Sequence, residues 1–140
     1  MLFPKKVKHR KWQTQRKSQK RLSRPDTRGT TVVFGSFALK ALTSARVTSN
    51  QIESARKVLA RATAKTGKLW IRIFPDRPVT AKPAEVGMGS GKGDPKFYVF
   101  EVRPGRVLFE LDGVPEDIAR AHLRQAGMKL PVTTSIITRS

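Results

Sequence analysis

The stretch Lys96-Phe97-Tyr98-Val99-Phe100-Glu101-Val102-Arg103-Pro104-Gly105-Arg106-Val107-Leu108-Phe109-Glu110-Leu111-Asp112 decides the fold. It places two runs of β-branched, aromatic and aliphatic residues on either side of Pro-Gly. Such runs favour the extended backbone, and Pro followed by Gly is a turn pair: Pro fixes φ near −65° and Gly accepts a positive φ. The stretch therefore predicts two strands, Lys96–Arg103 and Arg106–Asp112, closed as a hairpin. Working outward, an antiparallel sheet is expected, and the flanking segments must supply what covers it.

Upstream, Lys68-Leu69-Trp70-Ile71-Arg72-Ile73-Phe74 reads as a strand, with Leu69, Ile71 and Ile73 on one side and Trp70, Arg72 and Phe74 on the other. Earlier still, Thr48 with Gln51 three residues on forms a capping-box pattern. Ile52, Ala55, Leu59 and Ala62 then recur at helical spacing up to a stop at Gly67. Thr30–Phe34 is β-branched and aromatic and predicts a strand, with a second extended segment over Phe37–Arg46. Downstream, Pro115–Ala126 predicts a second helix. Pro115 suits its first position, Glu116 and Asp117 suit its positive end, and Gly127 closes it. Val132–Thr138 predicts a last strand. The fold class is α+β, a mostly antiparallel sheet with two packed helices.

Between the two central strands lies Pro75–Pro95, with four prolines and with Gly87, Gly89, Gly91 and Gly93 spaced two apart. That density of breakers predicts a long irregular loop, and loops of this length in small domains are usually functional. It is not a nucleotide loop. Val86 stands where a P-loop needs its first Gly, and Gly93 where it needs Ser or Thr. Gly-x-Gly-x-x-Gly fails as well, at Lys92 or Asp94. The glycines instead let the main chain lie against a sugar-phosphate backbone, with Met88 and Ser90 between them and Lys82 and Lys92 adding charge.

The chain has 140 residues, which suits one domain, and 29 Lys+Arg against 10 Asp+Glu, a net charge of +19. A field of that strength requires an anionic partner, and RNA, DNA and an anionic membrane surface are the candidates. Residues 1–29 hold eleven bases and one acid, +10, and residues 30–74 add +7; the rest is nearly neutral. The first 29 residues are therefore read as a basic RNA-contacting arm, and residues 30–140 as one domain carrying an RNA-facing loop at 75–95. In the arm, Lys5, Lys6, Lys8, His9, Arg10, Lys11, Arg16, Lys17, Lys20 and Arg21 face phosphates, and Trp12 or His9 can stack on an exposed base. Its sparse apolar content predicts disorder in the free chain. Arg56 on the first helix and Arg77 in the loop are further candidate contacts.

No cysteine is present, so disulfides and thiolate chemistry are excluded. No apolar run approaches the ~18 residues of a spanning helix, and the first residues lack the apolar core of a secretory signal. His9 and His122 stand apart, and no paired carboxylates, nucleophile with base, or metal-ligand spacing occurs. No enzyme, cofactor, membrane partner or homo-oligomer is expected.

Seven blocks then stand in a familiar order: Met1–Lys11, Phe34–Leu42, Thr48–Arg56, Gly67–Pro83, Met88–Gly93, Val102–Glu110 and Lys129–Pro131. Together they closely resemble the bacterial-type ribosomal protein sixteen family of the large subunit, over nearly the whole chain. The resemblance implies a structural constituent of the large ribosomal subunit, in the cytoplasm or in an organelle with its own ribosomes. It implies binding to large-subunit rRNA near the peptidyl-transferase region. It also implies contact with A-site tRNA, with the P site as a second option, beside other large-subunit proteins. Late subunit assembly belongs to the same expectation. Lys5–Lys11 and Arg77–Gly93 match the regions of the family that reach RNA. Gly87 replaces an arginine found in many relatives, and Gln19–Thr27 is longer and less Gly-rich than usual.

Overall fold

The computed structural model describes residues 2, 4, 5, 24–64, 66–81 and 94–139. Among these, seven strands and two helices follow in the order β1 Phe37–Ala41, β2 Ala45–Thr48, α1 Ser49–Thr63, β3 Lys68–Ile71, β4 Arg77–Ala81, β5 Asp94–Val102, β6 Val107–Asp112, α2 Glu116–Gly127 and β7 Thr134–Thr138. Every strand pair is antiparallel, and the class is α+β as the sequence implied.

The strands form two sheets rather than one, with orders β3-β6-β1-β7 and β2-β5-β4. This overturns the expected hairpin: β5 and β6 lie in different sheets. The turn itself forms, with the Arg106 N–H donating to the Arg103 carbonyl and Gly105 at φ +96°. It then bonds sideways to β1, where Gly105 N–H reaches the Ala41 carbonyl and Ala41 N–H reaches the Arg106 carbonyl. β1 and β3 occupy both edges of β6, and β2 and β4 both edges of β5. Alternation within two runs could not reveal this. One signal was available, since Val107–Leu111 is a nearly continuous apolar run, the pattern of a strand covered on both faces. All five of these residues are buried.

Other boundaries move for local reasons. Phe37–Arg46 is two strands, because the chain leaves β1 at Leu42, whose N–H bonds Thr133, and re-enters the other sheet at Ala45. Within the expected loop, residues 77–81 are β4. It tolerates Pro78 because it is an edge strand, where a missing N–H interrupts no ladder on the outer side. Pro95 lies at the end of β5 flanked by β4 alone, beside a register shift at Val79/Thr80. The tip of that loop lies outside the described residues. Gly67 does not stop α1, which ends at Thr63; a side chain there would meet Val114.

α1 begins as the sequence predicts. Thr48 Oγ1 accepts the Gln51 N–H at 3.3 Å, and Gln51 Oε1 accepts the Thr48 N–H at 2.9 Å. Losing such a cap costs about 1 kcal/mol. Thr48→Ala is expected to lower the unfolding free energy by that amount, read as a lower urea midpoint at unchanged slope. The helix turns Ile52, Ala55 and Leu59 onto the core, and α2 turns Ala119, Leu123 and Ala126. They pack with Leu39, Phe109 and Leu111 on one face of the four-stranded sheet, and Leu69, Ile71 and Ile136 join that cluster. Burial of this kind, at roughly 25 cal/mol per Å² of apolar surface, is the main stabilising term.

Candidate nucleic-acid interface

The opposite face of the four-stranded sheet carries Trp70 and Glu110 side by side in register, with Ala38 next in the row. The segment 24–36 crosses this face as a strap. The sequence predicts a strand over Thr30–Phe34, but no strand forms there. Three consecutive backbone donors go instead to one buried carboxylate: Glu110 Oε1 accepts the N–H of Val33 at 3.0 Å, of Phe34 at 2.9 Å and of Gly35 at 3.0 Å. Glu110 Oε2 pairs with the Arg72 guanidinium. At Gly35 the strap lies so close to β6 that any side chain would strike the Leu111 carbonyl.

Glu110 has no exposed surface. Burial opposes its ionisation, but hydrogen bonds from Gly35, the Arg72 side chain, Phe34 and Val33 outweigh that penalty and hold its carboxyl below the ordinary range. A folded-state value below the unfolded one means stabilisation at neutral pH that disappears as pH falls through the folded value. Asp112, held low by Ser36 and the Gly113 N–H, has the same sign. Stability is therefore expected to drop steeply below pH ~4, and Glu110→Gln is expected to flatten that dependence in urea midpoints measured from pH 7 to pH 3.

The strap is fixed further back. Asp26 N–H bonds the Pro104 carbonyl, the Gly29 carbonyl accepts from Val107 N–H, and Arg106 lies 3.5 Å from the Asp26 carboxylate. The last residues of the expected arm, 24–29, are thus bonded to the domain. At the other end of the arm, Leu2 packs against the core cluster.

On the strap, Phe34 stacks on Trp70 with ring centroids 5.9 Å apart and planes 17° apart, and the Arg72 guanidinium carbon lies 5.2 Å from the Phe34 ring centre. Half of Phe34 remains exposed, 51%. Lys68 and Arg139 are exposed and both act on Asp112. On α1, Lys57 and Arg61 are exposed beside the Arg56–Glu53 ion pair.

Of the residues singled out from sequence, Lys5 is exposed. Arg56 is half-buried and bonded to Glu53. Arg77 is buried, 8% exposed, with its guanidinium 2.7 Å from Glu101, so much of its charge is satisfied inside the domain. The arm candidates between Lys6 and Arg21 and the loop candidates from Lys82 to Gly93 lie outside the described residues. Sequence reasoning missed the Glu110–Arg72 clamp and the Phe34–Trp70 stack. The signal for the first was an acid inside the apolar run of β6, facing an arginine on a neighbouring apolar strand.

Nothing among the described residues assembles a reaction centre. Among the described residues no three His, Asp or Glu side chains converge as for a metal, and no helix is long and apolar enough to cross a membrane. His122 lies 2.9 Å from the Ile118 carbonyl of its own helix. Glu110, Glu101 and Asp26 are matched to Arg72, Arg77 and Arg106, while Lys57, Arg61, Lys68, Arg103, Arg124, Lys129 and Arg139 stand exposed. These features define a strongly basic α+β protein with a cationic exterior, of the kind found in ribonucleoprotein particles. Residues 4–137 match the ribosomal protein L16p/L10e family. The chain is also 54% identical over 140 residues to proteins named large ribosomal subunit protein uL16 from two strains of Leptospira biflexa serovar Patoc, covering 100% of this chain and 98% of theirs. The chain belongs to the ribosomal protein L16p/L10e family, whose members are ribosomal structural proteins and not enzymes.

Proposed function

We propose that this chain, a structural protein of the large ribosomal subunit, binds large-subunit rRNA through its arm and the cationic surface of its domain, and reaches tRNA with the loop between β4 and β5. One observation carries the reading. The net charge is +19, and Asp26, Glu53, Glu101 and Glu110 are each paired with an arginine of the same domain, leaving a cationic exterior. Phosphate neutralisation is what such a surface does best, and the displaced counterions make binding salt-dependent. Other large-subunit proteins are neighbours in the same particle.

The loop is the candidate for tRNA. Ala81 pairs with Asp94, so residues 82–93 leave and re-enter the sheet from one paired base. Their glycines suit close approach to a nucleic-acid backbone, and contact with A-site tRNA, with the P site second, follows from the family resemblance. In this reading residues 1–29 are the RNA-contacting arm and 30–140 the domain. Support for subunit assembly is part of the same role. Measured against large-subunit rRNA, affinity is expected to fall steeply between 50 and 200 mM salt, by orders of magnitude for several phosphate contacts. Salt-independent binding, or none at low salt, contradicts the reading. Gly89→Val with Gly91→Val is expected to slow tRNA accommodation in reconstituted ribosomes while rRNA affinity holds. Normal accommodation removes the loop from the tRNA contact.

A further inference from the structure

We propose that Phe34, backed by Trp70, is a stacking site for a single unpaired nucleobase of the rRNA, and that the adjacent recess takes the sugar or phosphate of the same strand. The inference rests on the reading of this chain as an rRNA-facing protein, and adds to it a defined subsite on the folded domain.

A large aromatic ring that is half exposed on a small domain requires a reason, and here the ring is held in place from below. Its backbone neighbours Val33, Phe34 and Gly35 all donate to Glu110 Oε1, and Glu110 is held by Arg72. One ring contact is Trp70, nearly parallel, and another is the Arg72 guanidinium. The strap is ordered before any partner arrives, so stacking on Phe34 loses little conformational entropy. Val33 beside it is also exposed, at 48%, which extends the apolar surface.

The surroundings choose the occupant. The ring lies against the Arg72 guanidinium on a face with further exposed cations, and a nucleotide brings a flat base and a negative backbone together. Lys68 and Arg139 lie exposed around this face. Asp112, the acid between them, is tied to the Ser36 hydroxyl at 2.8 Å and the Gly113 N–H at 2.9 Å. Two to four residues back along the strap, a recess is lined by Thr30, Thr31, Val32, Ile137, Thr138 and Arg139. Its hydroxyls and guanidinium are donors for a phosphate or a 2′-hydroxyl. At ~3.3–3.6 Å per extended residue, the backbone of Thr30–Val32 lies at most roughly 7–14 Å from that of Phe34. A strand whose base rests on Phe34 covers that span with the sugar and phosphate of its own or the next nucleotide.

The test compares the full chain and its Phe34→Leu and Phe34→Tyr variants on two probes, a short single-stranded oligoadenylate and a strand of equal length with abasic sugars. Leucine keeps an apolar contact with Trp70 but offers no flat face. Base–aromatic stacking predicts that Phe34→Leu binds oligoadenylate roughly five- to a hundredfold more weakly, while its affinity for the abasic strand and its salt slope hold. Phe34→Tyr is expected to retain the preference for bases. Arg139→Ser is expected to weaken both probes and to reduce the salt slope by about one. An unchanged preference for oligoadenylate in Phe34→Leu, with thermal unfolding as in the parent chain, overturns the stacking site and leaves the rRNA reading standing. Failure of the parent chain to bind either strand at low salt overturns both.

Discussion

Replacing Glu110 with alanine is expected to destabilise the domain by about 3 kcal/mol, the low end of what removing one partner of a buried ion pair does. The low end applies because the Arg72 side chain keeps 17% exposure and so some solvation, whereas the Glu110 side chain has none. Two losses combine. Arg72 is left without its carboxylate, and three consecutive N–H groups of the strap lose their acceptor. The effect is local in origin but not in reach, because the strap covers the outer face of β6 and β1. Glu110→Gln, which keeps an oxygen acceptor but no charge, should fall between the parent and alanine. Urea denaturation at pH 7 checks both. A loss below about 1 kcal/mol for Glu110→Ala would mean that the strap is held by something other than the clamp.

The larger effect on binding belongs to the arm. Neutralising Lys5, Lys6, Lys8, Arg10, Lys11, Arg16, Lys17, Lys20 and Arg21 to glutamine removes nine of the chain's 29 basic residues and leaves Leu2 and residues 24–29 in place. Each phosphate that the arm no longer neutralises lowers the slope of log affinity against log salt by about 0.7–0.9, so the slope is expected to flatten by as much as ~6–8. Affinity for large-subunit rRNA near 0.1 M salt should fall by several orders of magnitude, while the unfolding midpoint stays put. Unchanged affinity and slope would move the whole electrostatic contact onto the domain, where Lys57, Arg61 and Lys68 are exposed. Keeping residues 24–29 matters to this design. Asp26 and Gly29 bond the turn that joins β5 to β6, so a truncation at 29 would damage the fold and the binding together.

What the sequence conveyed well was what neighbouring residues decide. The start of α1 is written in Thr48 and Gln51, and both reciprocal bonds form. The turn at Pro104-Gly105 is equally local. What it conveyed poorly depends on partners far away in the chain. The two strands flanking that turn were expected to pair, yet each has both edges occupied by other strands, β2 and β4 or β1 and β3. Thr30–Phe34 has the composition of a strand, yet its Val33 and Phe34 N–H groups turn to a carboxylate 76 residues from Phe34. Arg77 reads as a free cation in a loop, yet β4 brings it onto Glu101. The candidate interface divides the same way. The basic arm and the Gly-spaced loop stand out in composition, whereas the Phe34–Trp70 stack required the fold to bring residues 36 apart into contact.

The most direct test is the amount of this chain in purified large ribosomal subunits of its source after a moderate salt wash. A structural constituent that binds rRNA is expected at one copy per large subunit, co-sedimenting with it, and retained until salt is high enough to screen the phosphate contacts. Recovery of the chain mainly in the soluble pool, or far below one copy per subunit, would contradict the account.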